Sequence, residues 1–280
     1  ITEVGDKGTK STRDIFLSKI NDLLVGGDIE KGVDAKKLAG ILEELNIKNV
    51  PQNKIKELVK NLDEGRAEFI PIFLSEVTML FKKGIIVPDI ALINVSPPDE
   101  HGFCSYGIDV GNIKTPAEKA KIVIAQINDK MPRGLGNSFI HVNKIDFIVE
   151  HSQDLMELPQ VDPNTSPEVL KVYDKIGQYI AEMIEDGSTL QMGIGAIPDS
   201  VMKYLGNKKD LGIHTEMFSD GIVELVEEGI INGEQKTLHH GKIVAGFCLG
   251  TKKSYNFIDN NPIIEFHPQE YVNDPFVIAK

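Results

Sequence analysis

Glu216, in the run Leu211-Gly-Ile-His-Thr-Glu-Met-Phe-Ser-Asp-Gly221, is the residue whose setting most invites chemistry. Ahead of it lies Gly193-Ile194-Gly195-Ala196-Ile197-Pro198, a glycine turn that follows the apolar run Thr189 to Met192. Such a turn brings backbone N–H groups close to a phosphate or an oxyanion, because no Cβ stands in the way. A carboxylate held partly dry beside those donors is suited to nucleophilic attack on an activated carbonyl. The plainer readings are a tight turn with close strand–helix packing and a solvated acid. A dinucleotide fingerprint is disfavoured, since proline occupies position 198 where the third glycine belongs.

The remaining candidates are weaker. His214 lies two residues before Glu216, so on a strand both point to one face; a packed or hydrogen-bonded histidine is its simplest role. His101, in Asp99-Glu100-His101-Gly102, has no second ligand at metal spacing, and His239-His240 is a loop pair; no metal is expected. Cys104 and Cys248 are too far apart in sequence to suggest a disulfide framework or a zinc site, and read as small core residues. Asp28 to Gly32 lacks the bidentate glutamate of a calcium loop.

These residues need elements to hold them. A strand at Thr189 to Met192, a helix at Asp199 to Leu205 and a strand at Leu211 to Thr215 make a βαβ unit that delivers Glu216 at a carboxyl end. Upstream, Phe69 to Phe73, Ile90 to Val95, Ile122 to Ile127, Phe139-Ile140 and Phe147 to Glu150 read as strands. Helices over Ser75 to Lys82 and Thr115 to Lys121, with the turn-rich stretch Ser96 to Gly107, separate them. Polar Leu158 to Pro167 reads as a linker before a helix over Pro167 to Glu185, whose buried side is expected at Val169, Val172, Tyr173, Ile176, Ile180 and Met183. Downstream come a helix at Ile222 to Gly229, a strand at Lys242 to Leu249, a helical turn at Tyr255 to Asp259 and strand-like Ile263 to Phe266. The last apolar run, up to Lys280, looks like an unfinished element. Residues 1–63 read as three charged amphipathic helices.

Composition narrows the class. The 280 residues carry a net charge of −12 and no basic stretch, so nucleic acid is an unsuited partner. No run approaches the ~18 apolar residues of a membrane span, and no signal peptide opens the chain, which points to a soluble cytoplasmic α/β protein.

Four stretches together resemble a known family: Glu64 to Glu76 (EGRAEFIPIFLSE), Ile93 to Gly102 (INVSPPDEHG), Leu190 to Pro198 (LQMGIGAIP) and Leu211 to Gly221 (LGIHTEMFSDG). They are similar to the acetyl-CoA hydrolase/transferase family, and within it most similar to the 4-hydroxybutyrate and butyrate CoA-transferases. The resemblance implies two CoA-transferase-type open-sheet α/β domains. They would span residues 64–160 (a partial first domain) and 161–280 (a second, incomplete at its C-terminus), after a helical N-terminal segment, 1–63, that does not match the family. It further implies that Glu216 forms a glutamyl-CoA thioester, and that Gly193, Ile194, Gly195, Ala196 and Ile197 bind CoA. The expected reaction moves CoA between a short-chain acyl-CoA and a carboxylate such as acetate in a homodimer, with CoA as substrate and no tightly bound cofactor. The alternatives are an acyl-CoA hydrolase on the same scaffold and an incomplete, non-catalytic relative.

Overall fold

The computed structural model describes residues 70–158, 166–193 and 195–280. The expected helices of residues 1–63 and most of the expected linker lie outside them. In chain order the first elements are α1 (Leu74–Lys82), β1 (Ile90–Val95), β2 (Phe103–Ser105), α2 (Lys114–Lys119), β3 (Ile122–Ile127), β4 (Phe139–His141) and β5 (Phe147–Glu150). There follow α3 (Pro167–Met183), β6 (Thr189–Leu190), α4 (Ala196–Met202), β7 (Gly212–Phe218), α5 (Asp220–Glu227) and β8 (Ile243–Cys248). The last are α6 (Lys252–Ile258), β9 (Ile264–Phe266), α7 (Gln269–Val272) and α8 (Pro275–Ile278). The chain divides into two units, residues 1–72 with 147–151 and residues 73–146 with 152–280. β5 belongs to the first unit, and every other element named here to the second.

The class is α/β with open sheets. β1 and β3 pair in parallel from Ile90↔Ile122 to Val95↔Ile127; in β1, Ile93 and Val95 are buried while Leu92 is exposed. The turn-rich stretch Ser96 to Gly107 also contains β2, which pairs antiparallel with β4. No strand forms over residues 70–73: Pro71 lacks an N–H, and Phe73 is the extended residue that starts α1.

The second sheet runs β6-β7-β8-β9, all parallel and in sequence order. Leu211, Ile213, Phe218, Ile222, Ile258 and Phe266 are almost wholly buried around it, each worth ~1.5–3 kcal/mol of apolar burial. Residues 108–111 extend this sheet along the edge of β8 beyond the end of β9. Cys248 N–H donates to Ile108 O at 2.7 Å and Gly111 N–H to Gly246 O at 3.0 Å.

α3 begins where expected, capped by the Ser166 hydroxyl, which accepts from Val169 N–H at 3.4 Å. Its buried face is the expected one only in part: Tyr173, Ile176 and Ile180 are half-buried. Gly177 and Ala181 are buried, whereas Val172 and Met183 are 56% and 75% exposed. The helix packs on α4 through its smallest residue: a Cβ at Gly177 would lie 2.6 Å from the carbonyl carbon of Ser200. After β9, where the sequence suggested an unfinished element, the chain turns into α7 and α8. Asp274 caps α8, its carboxylate accepting from Phe276 N–H at 2.7 Å and Val277 N–H at 3.0 Å. Among the described residues no helix is long and apolar enough to cross a membrane.

Candidate active site

β7 alternates as a strand with one covered face should. Ile213, Thr215 and Met217 are buried, and His214 and Glu216 are half-buried on the opposite side. Its first residue must be small, because a Cβ on Gly212 would stand 2.5 Å from Lys236 Cγ. The strand runs three residues past the expected end at Thr215, because β8 keeps supplying partners up to Phe218↔Cys248. Glu216 therefore sits inside the strand rather than beyond it.

Three consecutive residues at the end of α7 reach polar partners around β7. Tyr271 OH lies 2.6 Å from His239 Nε2, His214 Nε2 lies 2.8 Å from Val272 O, and Asn273 Nδ2 donates to Glu216 Oε2 at 2.7 Å. A carbonyl oxygen only accepts, so His214 carries its proton on Nε2. Burial holds the His214 pKa below the usual histidine range, which favours the neutral ring.

The glycine turn is tied to the same strand. β6 ends its ladder at Leu190↔Ile213, and the Thr215 hydroxyl stands in for the next rung. It accepts from Met192 N–H at 3.1 Å and lies 3.0 Å from both Met192 O and Met217 O. The residue before Gly193 is thus fixed to the residue before Glu216. Gly195, at φ +109° and ψ −174°, occupies a region essentially reserved for glycine, and a Cβ there would meet open space; conformation, not crowding, requires it. Gly193 and Gly195 are exposed, Ala196 and Ile197 half-buried, and Ile194 lies outside the described residues. α4 starts at Ala196, three residues earlier than the proline suggested. Pro198 falls within the first turn, where an N–H would have no acceptor inside the helix.

Of the other candidates, His101 and the two cysteines do not join this site, and His239 touches it only through Tyr271. His101 is exposed and 3.5 Å from Glu100. Cys104 and Cys248 are free and buried, and burial pushes the Cys104 thiol up to about 11. His239, Glu265 and His267 form a side-chain cluster with one donor atom each within 4.8 Å of the others. Hydrogen bonds already occupy those atoms: Glu265 Oε2 lies 2.8 Å from His239 Nδ1 and 3.3 Å from His267 Nε2. A cavity of about 180 Å³ between α4 and α5, lined by Asp199, Met202, Lys203, Gly221, Glu224 and Glu228, includes neither Glu216 nor the turn.

Sequence reasoning missed Asn273 and Thr215. Asp274-Pro275 after Asn273 marks a chain turn, but nothing local directs the Asn273 side chain to Glu216. Thr215 carried no signal of its own.

Comparison with known proteins identifies the family. The profile of the acetyl-CoA hydrolase/transferase N-terminal domain matches residues 13–158, beginning inside the segment that the motifs left outside the family. A 4-hydroxybutyrate coenzyme A transferase of Clostridium kluyveri is 52% identical over 219 residues, covering 78% of this chain and 50% of that protein. A butyryl-CoA:acetate CoA-transferase of Anaerostipes caccae is 34% identical over 220 residues, 77% of this chain and 48% of the other. The crystal structure of a 4-hydroxybutyrate CoA-transferase from Porphyromonas gingivalis superposes with a TM-score of 0.69 at 41% identity, covering 79% of this chain and 56% of that one. The chain spans about half the length of the curated relatives it matches. With the domain profile reaching over more than half of its residues, the chain belongs to the acetyl-CoA hydrolase/transferase family.

Proposed function

We propose that the protein transfers CoA between a short-chain acyl-CoA, such as 4-hydroxybutyryl- or butyryl-CoA, and a carboxylate such as acetate, with Glu216 as nucleophile. The observation that carries this reading is the setting of Glu216. Its Oε2 accepts from a neutral amide while Oε1 has no hydrogen bond described, and the Thr215 tether keeps the glycine turn beside it. The names of the relatives supply the substrate classes.

The cycle follows from the groups present. Glu216 Oε1 attacks the thioester carbonyl, the C–S bond breaks, and CoA leaves as thiolate from an acyl-glutamyl anhydride. The thiolate then attacks the glutamyl carbonyl, expelling the acyl group as its carboxylate and leaving glutamyl-CoA. An incoming carboxylate attacks that thioester, and the returning thiolate completes a new acyl-CoA. One thioester replaces another, so the exchange is close to isoenergetic without a phosphate donor. In both tetrahedral intermediates that form on the glutamyl carbon, the Asn273 N–H stands beside the oxygen that gains charge. Gly193, Gly195, Ala196 and Ile197, with Ile194, are the residues assigned to CoA, whose remote nucleotide end supplies binding energy for orientation. CoA is a substrate in this reading, not a resident cofactor. The protein is taken as a cytoplasmic homodimer, symmetric dimers being the commonest assembly of soluble oligomers.

The test is hydride trapping. Borohydride treatment after incubation with acyl-CoA alone is expected to reduce Glu216, and no other carboxylate, to its alcohol; a label elsewhere removes Glu216 from the role. Release of free CoA with no acceptor carboxylate present would instead identify a hydrolase, in which water reaches the glutamyl thioester or the anhydride.

A further inference from the structure

We infer that His214 is a positioning residue for Glu216, acting through the Asn273 amide; the inference rests on the CoA-transferase reading above. α7 is a single turn of four residues, too short to hold its own shape without side contacts. Its first residue is wedged by shape. The buried Gln269 side chain lies over Gly246, where a Cβ would come within 1.7 Å of its Oε1, and against Gly111. Its outer side is held by Glu270, which takes the Thr78 hydroxyl at 2.5 Å and the Lys82 ammonium from α1. The end that faces Glu216 depends on the sheet.

There two histidines reach it: His239 Nε2 lies 2.6 Å from Tyr271 OH, and His214 Nε2–H donates at 2.8 Å to Val272 O, the carbonyl joined directly to Asn273. The Val272 carbonyl and the N and Cα of Asn273 share one rigid peptide plane. Fixing that oxygen therefore fixes the root of the Asn273 side chain, whose Nδ2 then reaches Glu216 Oε2 at 2.7 Å. The two contacts match in step. His214 and Glu216 are two apart on one face of β7, and Val272 and Asn273 are successive residues of the segment laid over them. His214 itself touches no reacting atom. Its part is to keep the Asn273 donor at the glutamyl oxygen, so that Oε1 is presented for attack and the neighbouring oxygen is met as it gains charge.

The experiment compares three substitutions in the whole protein. In His214→Gln a side-chain N–H reaches as far as Nε2, in His214→Asn the N–H stops near the Nδ1 position, and His214→Phe keeps a ring without a donor. The Phe and Asn variants are expected to lose about tenfold in kcat with KM for acyl-CoA changed less than about twofold, and the Gln variant to stay within about threefold of wild type. In an Asn273→Ala background, His214→Phe is expected to cost less than about twofold more, because the group it positions is gone. A Gln variant as impaired as Phe overturns the inference, and so do losses that multiply independently in the double variant. A measurement free of activity stands beside these: NMR of the imidazole nitrogens in the wild-type protein is expected to find the His214 proton on Nε2, and finding it on Nδ1 overturns the inference. A wild type with no CoA exchange and no hydride label at Glu216 overturns the parent reading, whereas an active wild type with independent losses overturns the inference alone.

Discussion

Asp99 follows β1 and Glu216 lies near the end of β7, so both carboxylates stand toward the ligand side of parallel strands, and they are held in opposite ways. Asp99 Oδ1 accepts from His101 N–H at 3.0 Å and Phe103 N–H at 2.8 Å, while Oδ2 meets the Arg133 guanidinium at 2.6 Å. The Phe103 N–H, helped by the His101 N–H and Arg133, outweighs the opposing cost of burial and holds the Asp99 carboxyl below the usual range. Glu216 accepts from one neutral amide, and among the described residues no lysine or arginine pairs with it. A carboxylate whose lone pairs are engaged by two amides and a guanidinium is a structural tie. One that keeps an oxygen without a described donor, beside a glycine turn, suits the nucleophile proposed above.

The contrast breaks most sharply at Glu216. Glu216→Gln is expected to cut CoA exchange by ~10³-fold or more in kcat while thermal unfolding hardly moves. Asp99→Asn is expected to do the reverse, lowering the unfolding midpoint while exchange per folded molecule persists. Paired melting curves and steady-state assays decide it; an inactive but well-folded Asp99→Asn protein would erase the distinction. Next in size is Asn273→Ala, expected to lower kcat by ~10–100-fold through loss of the oriented donor. If it changes KM for acyl-CoA alone, the amide serves binding rather than the glutamyl oxygen.

How much of this was legible in sequence follows from the range of each signal. β1, β3 and β5 lie over the expected residues, because Ile90 to Val95, Ile122 to Ile127 and Phe147 to Glu150 are short apolar runs with clear polar borders. The βαβ order around the glycine turn was legible for the same reason. The buried face of α3 was legible only in part: periodicity counts large apolar residues and picked out Tyr173, Ile176 and Ile180, but it passed over Gly177 and Ala181, whose smallness lets the helices close. Asn273 was beyond reach for a different reason. Its partner is 57 positions away, and the register that joins them is set by where α7 docks, which no local pattern records.

A smaller effect tests the structural side of the comparison. Arg133 joins Asp99, the Phe103 carbonyl at 3.0 Å and the ring of Phe139, whose centroid is 4.7 Å from Cζ. Arg133→Met is expected to cost about 1–2 kcal/mol of stability in denaturant titrations, with exchange per folded molecule retained.

Asp109 sharpens the comparison with an intermediate case, a half-buried carboxylate in the segment along the edge of β8. Burial raises its pKa to about 6, offset only in part by the Gly111 N–H. The sign follows from where the proton sits. Between the ordinary aspartate value near 4 and about 6, the unfolded chain has released the proton that the folded protein keeps, so stability falls as pH rises through that window. Above it both states are ionised and the cost of holding the charge is constant. The full difference corresponds to ~3 kcal/mol, which residual solvent around the side chain reduces to about 1 kcal/mol. Asp109→Asn, carrying no charge, is therefore expected to be more stable than wild type by about 1 kcal/mol above roughly pH 7, and equal to it below roughly pH 4. Unfolding free energies measured across that range check the shape as well as the size. An Asp109→Asn protein that is less stable at high pH would show that the carboxylate has a charged partner, and would move Asp109 from the merely buried class into that of Asp99.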